Sequence, residues 1–206
     1  MSELYMRYPL LEVCRCDIEA AVDIIKKAYR KGGKLLVCGN GGSCADSDHI
    51  VGELMKGFML KRKLGGPFRE KLKNLGFEDA EYIANNLQGA LPAISLPSQS
   101  AVISAYANDV KADMVYAQLV FGYGGENDVF IGISTSGNSE NVVLAAKVAK
   151  AKGLKTIALT GKSQSRLSAI CDVTVKAPET ETFKVQEMHL PVYHYICEEL
   201  EKEFFK

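Results

Sequence analysis

The stretch Lys34-Leu35-Leu36-Val37-Cys38-Gly39-Asn40-Gly41-Gly42-Ser43 has the pattern of a buried strand entering a glycine-rich turn. Leu35, Leu36 and Val37 are consecutive apolar residues, as expected of a parallel strand covered on both faces. Gly39, Gly41 and Gly42 permit positive φ and close backbone approach, and a helix is expected to begin near Ser43. The first N–H groups of such a helix have no partners inside it. With the Ser43 hydroxyl they would form a pocket for a phosphate or a sugar hydroxyl. A plain strand-to-helix turn with a serine cap fits the same residues.

Downstream of the turn, Ile50, Leu54 and Met55 give the helix an apolar face, while His49 and Glu53, at i and i+4, share another side. Two such side chains can bind one metal or serve one substrate, and they can equally form a plain surface contact. A second unit of the same kind follows at Asp128 to Ile133. This apolar strand runs into Ser134-Thr135-Ser136-Gly137-Asn138-Ser139, and helical periodicity resumes from Val142 to Lys150. Hydroxyls and free N–H groups at a helix N-terminus make a phosphate cradle without any basic side chain.

Further strands are expected at Leu91 to Leu96, Lys155 to Thr160 and Asp172 to Lys176, with helices at Ser98 to Ala107 and Met114 to Phe121 between them. Asn108-Asp109 marks a turn at a helix end. Strands alternating with helices of this length imply right-handed crossovers and a parallel sheet, with ligands at the carboxyl ends of the strands. A helix from Leu10 to Arg30 and a terminal one from Phe183 to Phe205 carry apolar stripes too wide for one small sheet, which points to subunit packing. The terminal helix holds Gln186, His189 and His194 and is broken in pattern by Pro191. From Lys61 to Asn86 the chain is charged and loop-like, a surface insertion with one short amphipathic piece near Ala80 to Leu87.

The chain has 206 residues, room for one substantial α/β domain. Lys plus Arg and Asp plus Glu stand at 25 each, so no net charge draws it to nucleic acid or an anionic membrane. The six cysteines contain no CxxC pair and read as reduced thiols of a cytoplasmic protein. No apolar run approaches the roughly 20 residues that span a bilayer.

Taken together, CGNGGS, the HxxxE after it, ISTSGNS and the terminal QExHxxxxH resemble the sugar isomerase (SIS) domain family, and within it the phosphoheptose isomerases. The resemblance spans most of the chain apart from about 61–86. It implies a single SIS domain over 1–206, a three-layer α/β sandwich with a five-stranded parallel sheet, and a homotetramer with sites between subunits. It also implies a substrate phosphate on Ser134, Thr135, Ser136 and Ser139, with Asn40, Gly41, Gly42, Ser43, Asn108, Asp109 and Gln186 lining the sugar. His49, Glu53, Gln186 and His194 would match the family's zinc site, a nitrogen and oxygen donor set that zinc accepts. The implied reaction is aldose–ketose isomerisation of sedoheptulose 7-phosphate through an enediol, with Glu53 as base and His194 as its acid–base partner. Phe183 departs from the polar residue that heptose enzymes tend to carry near this glutamine. The competing reading is a SIS relative that binds a phosphosugar or a replication initiator without catalysis. Such relatives lose acid–base residues, whereas Glu53 and His194 are both present.

Overall fold

Strands Leu35–Gly39 (β1), Ala93–Ser95 (β2), Val129–Ile133 (β3), Lys155–Thr160 (β4) and Val173–Lys176 (β5) form one parallel sheet in the order β2-β1-β3-β4-β5. This is the arrangement in the computed structural model, which describes residues 3–206. Every residue of β1 and β3 is buried, as their unbroken apolar runs require. Side chains alternate along β1. Leu35 and Val37 join one apolar core with Ile18, Ile25, Ile50 and Tyr193, while Leu36 and Cys38 join another with Leu119, Phe130 and Val142. Helices therefore cover both faces, giving three layers.

The first core lies beneath Glu3–Arg7 (α1), Arg15–Arg30 (α2), Gly42–Met55 (α3) and the terminal helix Thr182–Phe205. The second lies beneath Val115–Tyr123 and Glu140–Ala151. From β1 the chain moves to β2 on one side and later returns to β3 on the other. The carboxyl end between β1 and β3 is thus the point where strand order reverses, the usual ligand crevice of open α/β sheets.

Three local expectations change, and one helix is additional. The start of the expected Leu10 to Arg30 helix is not α-helical: Pro9–Cys14 is a 3-10 helix, whose three-residue repeat buries Leu11 and Cys14 and turns Leu10 and Val13 outward. The 61–86 region is not mainly loop, since it contains helices Gly66–Asn74 and Ala80–Asn86, and its Arg62 is fully buried. Asn108 and Asp109 do not form a turn but lie on the π-helical segment Ala107–Lys111. A short helix at Arg166–Ile170, started by a capping box between Ser165 and Ser168, has too few residues to show a periodic signal. Among the described residues, no helix is long and apolar enough to cross a membrane.

Candidate active site

The glycine turn delivers α3 to the crevice. Gly41 is the residue before the helix and has φ +57°, a left-handed conformation that glycine adopts without strain. Ser43 is consequently inside the first turn rather than capping it. It is buried, and no side chain caps the helix start; in place of the expected serine cap, the Ser43 and Cys44 N–H groups donate to the Asn40 and Gly41 carbonyls, each at 3.0 Å. A Cβ on Gly42 would stand 2.5 Å from Gln186 Nε2, so the missing side chain lets the terminal helix press its amide onto the turn.

On the neighbouring strand, β3 feeds the serine loop. Ser134 Oγ lies 3.0 Å from Ser139 Oγ and 3.5 Å from Ser136 Oγ, and Ser136 Oγ accepts the Asn138 N–H at 3.2 Å. Ser139 occupies the N-cap position of helix Glu140–Ala151 without capping it, because its hydroxyl turns toward Ser134. Hydroxyls and uncapped helix amides therefore share one loop, as an anion cradle requires. Gly137, at φ +66°, holds the turn. The glycine and serine turns are joined by a reciprocal amide pair. Asn40 Nδ2 donates to Asn141 Oδ1 at 2.9 Å, and Asn141 Nδ2 donates to Asn40 Oδ1 at 3.0 Å.

Two helices bring the titratable groups together. His49 Nε2 is 3.4 Å from Glu53 Oε1, while Lys56 Nζ donates to Glu53 Oε2 at 2.8 Å. The rings of His49 and His194 meet edge to face with centroids 5.0 Å apart. His194 Nε2 is buried with no hydrogen-bond partner. Burial, and then the nearby His49, hold the His194 pKa below the ordinary histidine value, with Glu53 pulling the other way. Behind His49, its Nδ1 is 3.0 Å from the Tyr193 hydroxyl, which donates to Asp46 Oδ1 at 3.2 Å.

His49, Glu53 and His194 are thus one cluster, while Gln186 rests on Gly42, at the start of the helix that carries His49 and Glu53. Asn108 and Asp109 are exposed and hydrogen-bond to each other at 2.8 Å. Among the described residues, no three His, Cys, Asp or Glu side chains are assembled as a metal centre. His189, on the same helix, is core: its Nε2 meets Thr160 O at 3.2 Å and its ring is completely enclosed. Asn141 and Tyr193 carry no local signal in the sequence, whereas Asp46 has one cue: it stands three residues before His49, one turn along the same helix.

A parallel sheet with polar turns at the reversal of strand order, one glycine-rich and one serine-rich, defines a sugar-phosphate-binding class of α/β fold. Residues 10–67 and 78–161 match the model of the SIS domain, and the chain belongs to that family. Within it the chain is phosphoheptose isomerase-like. It is 37% identical over 188 residues to the phosphoheptose isomerase of Geobacter sp. (strain M21), covering 91% of this chain and 84% of that one. It is 39% identical over 189 residues to the enzyme of Clostridium acetobutylicum, covering 92% and 83%. Among solved structures, the phosphoheptose isomerase from Neisseria gonorrhoeae superposes with a TM-score of 0.76 at 27% identity, covering 95% of this chain and 91% of that one.

Proposed function

We propose that this protein interconverts an aldose and a ketose phosphate, sedoheptulose 7-phosphate and D-glycero-D-manno-heptose 7-phosphate. The observation that carries the reading is the Asn40–Asn141 amide pair, which ties the anion cradle to the turn that starts the helix bearing His49 and Glu53. Similarity to phosphoheptose isomerases over nine-tenths of the chain supports it. In this reading Ser134, Thr135, Ser136 and Ser139 hold the phosphate. Asn40, Gly41, Gly42, Ser43, Gln186, Asn108 and Asp109 line the sugar.

Isomerisation moves a proton between C1 and C2 through an enediol and needs a base at carbon and an acid at oxygen. Glu53 takes the proton from one carbon and returns it to the other. His194, kept largely neutral by its surroundings, exchanges a proton with the carbonyl oxygen as that oxygen becomes the enediol hydroxyl. The donor chemistry fits zinc: His194 Nε2 is a buried orphan, and His49 Nε2 and Glu53 Oε1 face each other. His49, Glu53, His194 and Gln186 would hold the ion, which when bound would polarise the carbonyl and stabilise enediolate charge.

We read the chain as one domain with 61–86 as an addition at its edge, acting in the cytoplasm as a homotetramer. Outward-facing Leu10 and Val13, with Met6 and Phe183 also exposed, support association, and the free cysteines fit a reducing compartment. An isomerisation assay over a panel of ketose phosphates, run with metal analysis and light scattering, tests the reading. Turnover of the seven-carbon ketose phosphate is expected. Binding without turnover of any member would leave a phosphosugar-binding module.

A further inference from the structure

The hydrogen bonds behind His49 have a direction. A tyrosine hydroxyl carries one hydrogen, and an ionised carboxylate can only accept. Tyr193 therefore spends its hydrogen on Asp46 Oδ1, at 3.2 Å. Its oxygen is left as an acceptor 3.0 Å from His49 Nδ1. Tyr193 is 2% exposed and packs edge-on against the His49 and His194 rings, with centroids 5.4 and 5.1 Å away, so the hydroxyl cannot swing elsewhere.

We propose that Asp46 and Tyr193 are positioning residues that fix His49 as the Nδ1–H tautomer and so turn the Nε2 lone pair toward Glu53. A neutral imidazole otherwise favours the opposite tautomer, which would donate Nε2–H to Glu53 and close the site to any cation. With the tautomer fixed, Nε2 and Glu53 Oε1 confront each other as two acceptors 3.4 Å apart, an arrangement relieved by a proton or a metal ion between them. The tautomer assignment stands on the hydrogen-bond chain alone, and only its use in holding zinc rests on the proposed isomerase reading.

The sequence contains three histidines, His49, His189 and His194, so selective 15N-histidine labelling gives an assignable spectrum. Long-range 1H–15N correlation of the metal-free full chain, above the histidine titration range, should show His49 protonated on Nδ1. Tyr193→Phe keeps the packed ring and removes the acceptor, and should move the proton to Nε2. Asp46→Asn should do the same by another route, since its amide can donate to the tyrosine oxygen and let the hydroxyl donate to Nδ1. Parental His49 protonated on Nε2, or a folded variant of either kind keeping the parental pattern, overturns the proposal. Zinc competition against a chromophoric chelator separates it from the isomerase reading. Both variants should weaken zinc by about 10–100-fold, the usual effect of losing a group that orients a ligand. A tautomer switch with unchanged zinc affinity would uphold the positioning role and remove His49 from the metal site.

Discussion

Arg62 Nε lies 2.7 Å from Glu201 Oε1, with both side chains essentially sealed from solvent. Glu201 also accepts the N–H groups of Phe58, Met59 and Leu60 at 2.8, 2.7 and 2.9 Å. Arg62 donates in turn to the carbonyls of Leu54 and Glu53, at 2.6 and 2.9 Å. One ion pair thus closes the carboxyl end of α3, which carries His49 and Glu53, against the terminal helix that carries His194. Glu201→Ala would strand a buried guanidinium, so a loss of about 3–5 kcal/mol in urea-unfolding stability is expected. A loss below about 1 kcal/mol would show that the pair is dispensable.

Acid should weaken the fold in two windows. Burial depresses the His189 pKa to about 4, only partly offset by the Thr160 carbonyl. Between the unfolded histidine value near 6.5 and about 4, the unfolded chain binds the extra proton, so stability falls as pH falls, by on the order of 3 kcal/mol. Burial alone would raise the Glu201 carboxyl, yet the Phe58 N–H, Arg62 and the Met59 N–H together outweigh it and hold it low. Its contribution is complete above the ordinary glutamate value near 4.3 and is lost below it, as pH falls through the folded value. Denaturation midpoints across pH should decline in both windows, and His189→Gln should flatten the upper one.

The contact between Gly42 and Gln186 gives a separate test. An added Cβ meets the end of a flexible side chain, so Gly42→Ala should push the amide aside while costing less than about 1 kcal/mol in stability. If Gln186 lines the sugar, kcat/KM should drop by about 10²-fold, the scale of a misplaced contact near the reacting atoms. Full activity in this variant would take Gln186 out of the site.

Ser136 is half of the cradle argument, since its hydroxyl reaches both Ser134 and the Asn138 N–H. Ser136→Ala should weaken phosphosugar binding by about tenfold or more, as expected for a hydrogen bond to a charged group. Calorimetric titration with unchanged affinity would refute the cradle.

What could be read from the sequence was whatever lay close together in it. Strand Lys155–Thr160 matches its apolar run residue for residue, and the NGGS and STSGNS turns are contiguous, so spacing alone set them at strand ends. The supports of the site come from far apart. Asn40 and Asn141 are separated by 101 residues, Arg62 and Glu201 by 139, and His49 and Tyr193 by 144. Tyr193 carries no signal of its own, and Arg62 reads as part of a charged surface run until the fold closes around it. Ser43 lies two positions inside the helix cap because Gly41, through its positive φ, starts the helix early.

Glu53 bears the sharpest prediction. Its carboxylate is mostly sheltered, with one oxygen on Lys56 and the other facing His49, and it reaches the cluster that His194 completes. Glu53→Gln keeps size and packing and removes the base. Turnover should fall by about 10²–10⁴-fold, the usual cost of a lost general base, while phosphosugar affinity, set by the serine loop on the neighbouring strand, changes little. Far-UV circular dichroism and oligomer size matched to the parent would exclude misfolding as the cause. Exchange of the substrate's C1 or C2 hydrogen with deuterated solvent should vanish in step with turnover, because both pass through the same enediol. Parental exchange in a folded Glu53→Gln protein would leave this carboxylate only its contacts with Lys56 and His49, and the proton transfer would have to belong to another group in the cluster.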